Sequence, residues 1–203
     1  MSDAPAPAAD AGSIEPAEMP SEPLALPGVF QGNPVGLSEE ACRAIGPDLD
    51  RHLATYGVLY HQYHKHHWLV TGPQFRDLHL FFQEHYEEVH LHFDRIAERL
   101  TALGFVPTCR PSEQERIAYV RHEPEGHFRI REMLELDLEA EGTVAQRLRE
   151  TITRCLQHGD HGTRAVLEPI LAAAEDRAHH IEHYLEADTL ELGNTADESD
   201  LRA

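Results

Sequence analysis

The chain has 203 residues, 41% of them hydrophobic, enough for one packed domain of ordinary size with polar extensions. Its 36 acidic residues against 17 basic ones give a formal net charge of -19, a surface that repels polyphosphate chains and argues against a duplex DNA reader. Cys42, Cys109 and Cys155 are widely spaced and form no Cys-x-x-Cys pair, which speaks against both a disulfide framework and a zinc knuckle.

MSDAPAPAAD carries neither the basic start nor the apolar run of a secretory leader, and no stretch of about 18 apolar residues occurs, so the expected location is the cytoplasm, away from membranes. Lys65 is the only lysine. Acid excess with lysine almost absent suits concentrated salt, where screening shortens carboxylate repulsion. Replacement of lysine by arginine through genomic base composition would explain the lysine count alone. The 16 histidines are harder to dismiss, since nine of them fall between His52 and His92.

Residues 1–37 are rich in Ala, Pro and Ser, hold five acids and no Lys or Arg, and show no apolar period, so they read as a disordered acidic arm. Ser38 followed by Glu39 and Glu40 marks a helix start, and Gly46-Pro47 is expected to reset the chain before a longer helix over about 47–70. On it Leu49, Leu53, Tyr56, Tyr60 and Tyr63 recur at helical steps, and His67 continues the stripe.

Gly72-Pro73 closes that helix, and a second is expected over about 74–103, with Phe75, Leu78, Phe82, Val89, Phe93, Ile96, Leu100 and Leu103 on its apolar face. Glu113 to Val120 reads as a short helix of its own. A third long helix spans about 127–157 and a fourth about 161–190, with Pro169 expected to kink the latter. Four long helices of similar length imply an all-α four-helix bundle over 38–192, with a short extra helix between the second and third and a polar tail at 193–203.

The second helix carries another stripe, His79, Gln83, Glu87, His90, Asp94 and Glu98, spaced 4, 4, 3, 4, 4 along one side. At 1.5 Å per residue His79 and Asp94 lie roughly 22 Å apart along the axis, too far to share an ion in one helix. The stripe is symmetric about its midpoint, however, because 79 pairs with 98, 83 with 94 and 87 with 90. Laid antiparallel on a copy of itself, it brings His79 and Gln83 of one chain beside Asp94 and Glu98 of the other. Imidazole nitrogen and carboxylate oxygen together suit Fe(II), with Zn(II) as competitor. A solvated polar face would explain the carboxylates and the glutamine, but not two histidines at matching places.

His67-Trp68, then Thr71-Gly72-Pro73-Gln74-Phe75, then Leu78-His79, then Asp94-Arg95-Ile96-Ala97-Glu98-Arg99 resemble the signature of the Dps family of mini-ferritins over about residues 40–190. The likeness extends to the acidic Dps proteins of salt-adapted cells. It implies a ferritin-like bundle and a hollow homododecamer. Ferroxidase centres would lie between two-fold mates, with His67 and His79 of one subunit binding iron beside Asp94 and Glu98 of the other and Trp68 next to them. It also implies oxidation of Fe(II), preferentially with hydrogen peroxide, and storage of Fe(III) mineral, which limits oxidative damage. Gln83 departs from the pattern, being a neutral ligand where the family has an acid, so a second iron position is expected to be loosely held.

On the inner wall Glu84, Glu87 and Glu88 are candidates for mineral nucleation, and Asp160 and Glu168 for an entry pore, with a helix cap as the competing role for Asp160. His61, His64, His66 and the pair His179 and His183, which share a face, are candidate extra metal stations; polar replacement of lysine explains them equally well. The competing function is a non-catalytic histidine-rich metal buffer. A metal site inside one bundle would need two Glu-x-x-His motifs, and only Glu87-x-x-His90 is present.

Overall fold

The structure is a computed structural model and describes residues 22–186. Among these residues five helices form in chain order: α1 (Glu39–Leu69), α2 (Phe75–Ala102), α3 (Pro111–Ile117), α4 (Ile130–Gln157) and α5 (His161–Leu185). α1 with α2, and α4 with α5, form two tight hairpins that close on each other through α1–α4 and α2–α5, while α3 lies on α1. This is the expected all-α bundle with its short extra helix. Expected residues 187–190 of the last helix and the tail at 193–203 lie outside the described residues.

One boundary differs. Ser38 caps α1 as expected, its Oγ accepting from the Ala41 N–H at 3.2 Å, but the helix then runs unbroken through Gly46-Pro47. Proline removes one helical hydrogen bond and crowds the preceding turn. Against that, Cys42, Ile45, Leu49 and Leu53 continue one apolar stripe across the proline, all at most 1% exposed. Burial at about 1.5–3 kcal/mol for each large aliphatic side chain outweighs the local penalty. Gly46 is needed for packing here, because a Cβ at this position would come within 2.5 Å of the Phe105 ring.

The expected arm also ends in a packed segment. Residues 1–21 lie outside the described residues, but Phe30 meets Phe105 with ring centroids 5.7 Å apart and the Gln31 N–H donates to the Gly104 carbonyl at 2.8 Å. Gly104 has φ +86°, and a Cβ on it would strike the Gly32 carbonyl. Asn33 then ties the segment to α1, its amide nitrogen donating to the Leu37 carbonyl at 2.8 Å and to Cys42 Sγ of the helix at 3.4 Å. The packed chain therefore reaches back to about Phe30, ahead of Ser38.

The core is apolar at both ends of the bundle and charged in between. The only lysine is a clasp: Lys65 Nζ pairs with Glu123 Oε1 at 2.6 Å, donates to the Pro124 carbonyl and sits 5.0 Å from the Phe128 ring, holding the α3–α4 connection on α1. His66, a candidate metal station by sequence, is instead fully buried. Its Nδ1 donates to Asp137 Oδ2 at 2.8 Å, and Nε2 lies 3.2 Å from Glu123 Oε1. Burial alone would lower its pKa, but the two carboxylates outweigh burial and raise it.

Candidate metal centre

The short turn after Leu69 folds α2 back on α1 and sets the last turn of α1 against the second turn of α2. His67 and His79 meet there as stacked rings, centroids 3.7 Å apart and planes 21° from parallel. Each Nδ1 lies 2.8 Å from the other residue's backbone carbonyl. A carbonyl only accepts, so each ring donates from Nδ1, and Nε2 is the nitrogen left to ligate. One of these bonds also satisfies the His67 carbonyl, which has no helical partner in the last turn of α1. Phe75 lies 5.0 Å from the His79 ring and Tyr86 meets the His67 ring edge-on at 5.3 Å, fixing the pair from either side.

The other half of the expected ligand set lies elsewhere on the subunit. Asp94 and Glu98 are exposed one turn apart near the far end of α2, and neither carboxylate meets a partner among the described residues. No group of three or more His, Cys, Asp or Glu side chains capable of holding a metal occurs within one chain among the described residues. Gln83 donates to Glu87 Oε1 at 2.8 Å, so its amide is turned along the helix face. Trp68 is 67% exposed and touches His64, centroids 5.3 Å apart, rather than the His67–His79 pair.

The remaining candidates divide. Glu84 and Glu87 are exposed, whereas Glu88 is bound to Arg177 Nη1 at 2.6 Å and is not an unpaired wall carboxylate. Asp160 caps α5: it is 1% exposed, accepts from the Thr163 N–H at 2.9 Å and pairs with Arg99 Nη2 at 2.8 Å. A carboxylate so enclosed cannot line a pore, which corrects that expectation. Glu168 is exposed and paired with Arg164 at 2.6 Å. His179 and His183 face each other on the α5 surface with Nε2 atoms 3.2 Å apart. His64 is stacked among Tyr60 and Tyr86, and His61 is exposed.

Sequence reasoning missed the buried charges. Glu141 and Asp137 are 0% exposed and Arg177 is 2% exposed, on helices whose other charges face water. Their place on the apolar faces of α4 and α5 was the available signal: Asp137, Glu141, Val144 and Leu148 share one stripe.

Comparison with known proteins agrees with this fold. A family model described as a ferritin-like domain matches residues 48–190. A "Nutrient stress-induced DNA-binding protein" of Synechococcus is 41% identical over 163 residues, covering 80% of this chain and 93% of that one. A "DNA protection during starvation protein" of Halobacterium salinarum is 45% identical over 142 residues, covering 70% and 78%. The crystal structure of an archaeal Dps homologue from Halobacterium salinarum superimposes with a TM-score of 0.80 at 40% identity, covering 83% of this chain and 94% of that one. With a ferritin-like model match over well more than half of its length and a DNA protection during starvation protein 45% identical over 70% of it, the chain belongs to the Dps family of ferritin-like proteins.

Proposed function

We propose that this protein oxidises Fe(II) at centres shared between two subunits and stores the Fe(III) as mineral inside a hollow homododecamer in the cytoplasm, limiting oxidative damage. The observation that carries the reading is the His67–His79 pair, two imidazoles each locked through Nδ1 and lacking, among the described residues, the acids to complete a site. The symmetric α2 stripe supplies those acids from a second copy, as Asp94 and Glu98. Trp68, Phe75, Leu80 and Leu91 are between 46% and 67% exposed at this end of α1 and along α2, an apolar surface of the kind that a second subunit covers.

Iron is the substrate in this reading. Imidazole nitrogens hold Fe(II), the carboxylates favour the more highly charged Fe(III), and an open coordination position admits the oxidant. Hydrogen peroxide as the preferred oxidant takes one electron from each of two Fe(II) and two protons, leaving two Fe(III) and two waters. Gln83, already bonded to Glu87, would leave the second iron loosely held. Glu84 and Glu87 are left to concentrate Fe(III), and His179 with His183 to pass it on.

The test is anaerobic loading of metal-free protein with Fe(II) followed by peroxide, reading ferric absorbance and particle mass. Asp94→Ala/Glu98→Ala should slow oxidation more than about tenfold while the protein still assembles. Iron that binds to the wild type but oxidises no faster than in buffer would favour a histidine-rich metal buffer. Relatives are named for DNA, but at a net charge of -19 no unaided duplex binding is expected for this chain, and a salt-sensitive gel shift at neutral pH would reverse that. Among the described residues no helix is long and apolar enough to cross a membrane.

A further inference from the structure

Three arginines gather at one cleft of a chain whose net charge is -19. The cleft has a volume of about 150 Å³ and lies between α1, α4 and the connection that follows α3. Arg51 comes from α1, and Arg147 and Arg154 from one face of α4. Only two carboxylates line it, Asp48 and Glu150, so positive charge is in excess here.

Ion pairing within the protein does not use these guanidiniums up. Arg147 Nη1 donates to Glu150 Oε2 at 3.0 Å, Arg154 Nη1 donates to Asp48 Oδ2, and Arg51 Nε reaches the Ile117 carbonyl at 3.4 Å. Each spends one nitrogen in this way. Arg51, 5.9 Å from the Tyr119 ring centroid, pairs with no carboxylate among the described residues. A guanidinium presents a planar fork of N–H donors, so most of the donors around the cleft stay open. The base of the cleft is uncharged. His52 and Thr151, 1% and 2% exposed, bond to each other at 2.8 Å, and the Tyr119 hydroxyl meets His52 Nδ1 at 2.7 Å. Burial first, then the Arg51 and Arg147 charges, hold His52 at a pKa of about 3, so the imidazole is neutral and both guanidiniums act on it.

We infer that this cleft binds inorganic phosphate, with Arg51 on one side and Arg147 and Arg154 on the other, and so ties α1 to α4. Guanidinium forks take phosphate oxygens in pairs, a contact that lysine does not reproduce. The volume is below the roughly 300–1,000 Å³ of a pocket for a drug-sized organic ligand, which favours a small ion over a nucleotide. The acidic remainder of the chain does not prevent this, because repulsion between exposed charges is screened beyond about 10 Å at 0.1 M salt. A polyphosphate chain, by contrast, would have to lie along the surrounding acids. Phosphate rather than sulfate follows from Asp48 and Glu150. Hydrogen phosphate keeps a proton that a carboxylate accepts, whereas sulfate has none and is only repelled.

Calorimetric titration of iron-free, full-length protein with sodium phosphate in chloride buffer at pH 8 tests this. Wild type should take up one phosphate per chain. Arg51→Gln and Arg147→Gln should each weaken binding about tenfold or more, through the loss of charge-assisted hydrogen bonds. Arg164→Gln makes the same change of net charge at the exposed Arg164–Glu168 pair on α5 and should leave binding unchanged. Helical circular dichroism checks folding, and the exposed Arg147 keeps the test open should Arg51→Gln not fold. Phosphate should also raise the urea midpoint of wild type by more than that of Arg147→Gln. Binding that is absent from wild type, untouched by both cleft variants, or weakened equally by Arg164→Gln overturns the site. Sulfate bound as tightly as phosphate overturns the choice of anion. None of these readings uses iron, so failure of the ferroxidase reading remains distinguishable.

Discussion

Shells co-assembled from equal amounts of a His67→Ala/His79→Ala chain and an Asp94→Ala/Glu98→Ala chain should regain about a quarter of wild-type oxidation per chain, although either variant alone is close to inactive. His79, stacked on His67 of α1, and the carboxylate pair lie towards opposite ends of one side of α2, His79 and Asp94 roughly 22 Å apart by helical rise. In the proposed centre a two-fold partner sets one chain's histidines against the other's acids. In a mixed pair, one centre receives both intact halves and the other both damaged halves. Random pairing makes half of the pairs mixed, and half of the centres in those are whole. A centre built inside one chain would give no recovery at all, because no chain in the mixture carries both halves. Ferric absorbance after peroxide, normalised to chain concentration, separates the two outcomes. Mass measurement confirms that mixed particles formed.

The parts of this molecule that could be read from sequence are those fixed by local period. Apolar steps of three and four located all four long helices, and the family resemblance paired His67 with His79, which the fold brings together; joining that pair to Asp94 and Glu98 belongs to the proposal. The mutual Nδ1 to carbonyl bonds that set both imidazoles could not be read, because they depend on how a five-residue turn lays α2 on α1. The continuation of α1 through Gly46-Pro47 failed for a related reason. Local propensity favours a break there, but the stripe from Cys42 to Leu53 and the seat of Phe105 against Gly46 are tertiary facts. Arg177 is the sharpest case. It stands among exposed acids and histidines near the end of α5, and its partners Glu141 and Glu88 lie 36 and 89 residues away. Only its step on the buried stripe of Leu167, Ile170, Ala174 and Ile181 distinguishes it from a surface arginine. The carboxylates that need it become visible only when the two hairpins close.

The bundle should lose stability steeply below neutral pH, at about 4 kcal/mol per pH unit between roughly pH 6 and pH 4, through three buried histidines. His52 is 1% exposed. Its Nδ1 accepts from the Tyr119 hydroxyl at 2.7 Å, and its Nε2 donates to Thr151 Oγ1 at 2.8 Å, which in turn donates to the Arg147 carbonyl. Burial first, then Arg51 and Arg147, lower its pKa to about 3. His85 is held at about 3 by burial, Arg177 and His180, and His92 at about 4 by burial and by Arg177 and Arg95, with Glu88 opposing. All three are depressed below the ordinary value of 6.5, so the unfolded chain binds three protons that the folded chain refuses. Stability is complete above pH 6.5 and falls as pH drops towards the folded values. His66 acts in the opposite direction. Raised by Asp137 and Glu123, it contributes below pH 6.5 and is lost as pH rises through its folded value, so it does not soften the acid limb. Urea midpoints of metal-free protein at fixed chain concentration should therefore fall sharply from pH 6 to pH 5. His52→Gln, which keeps a polar group between Tyr119 and Thr151, should lower stability at pH 7 yet reduce the slope by about a third. A midpoint that stays level from pH 7 to pH 5 would mean that the three imidazoles take up protons as readily in the folded chain as in the unfolded one.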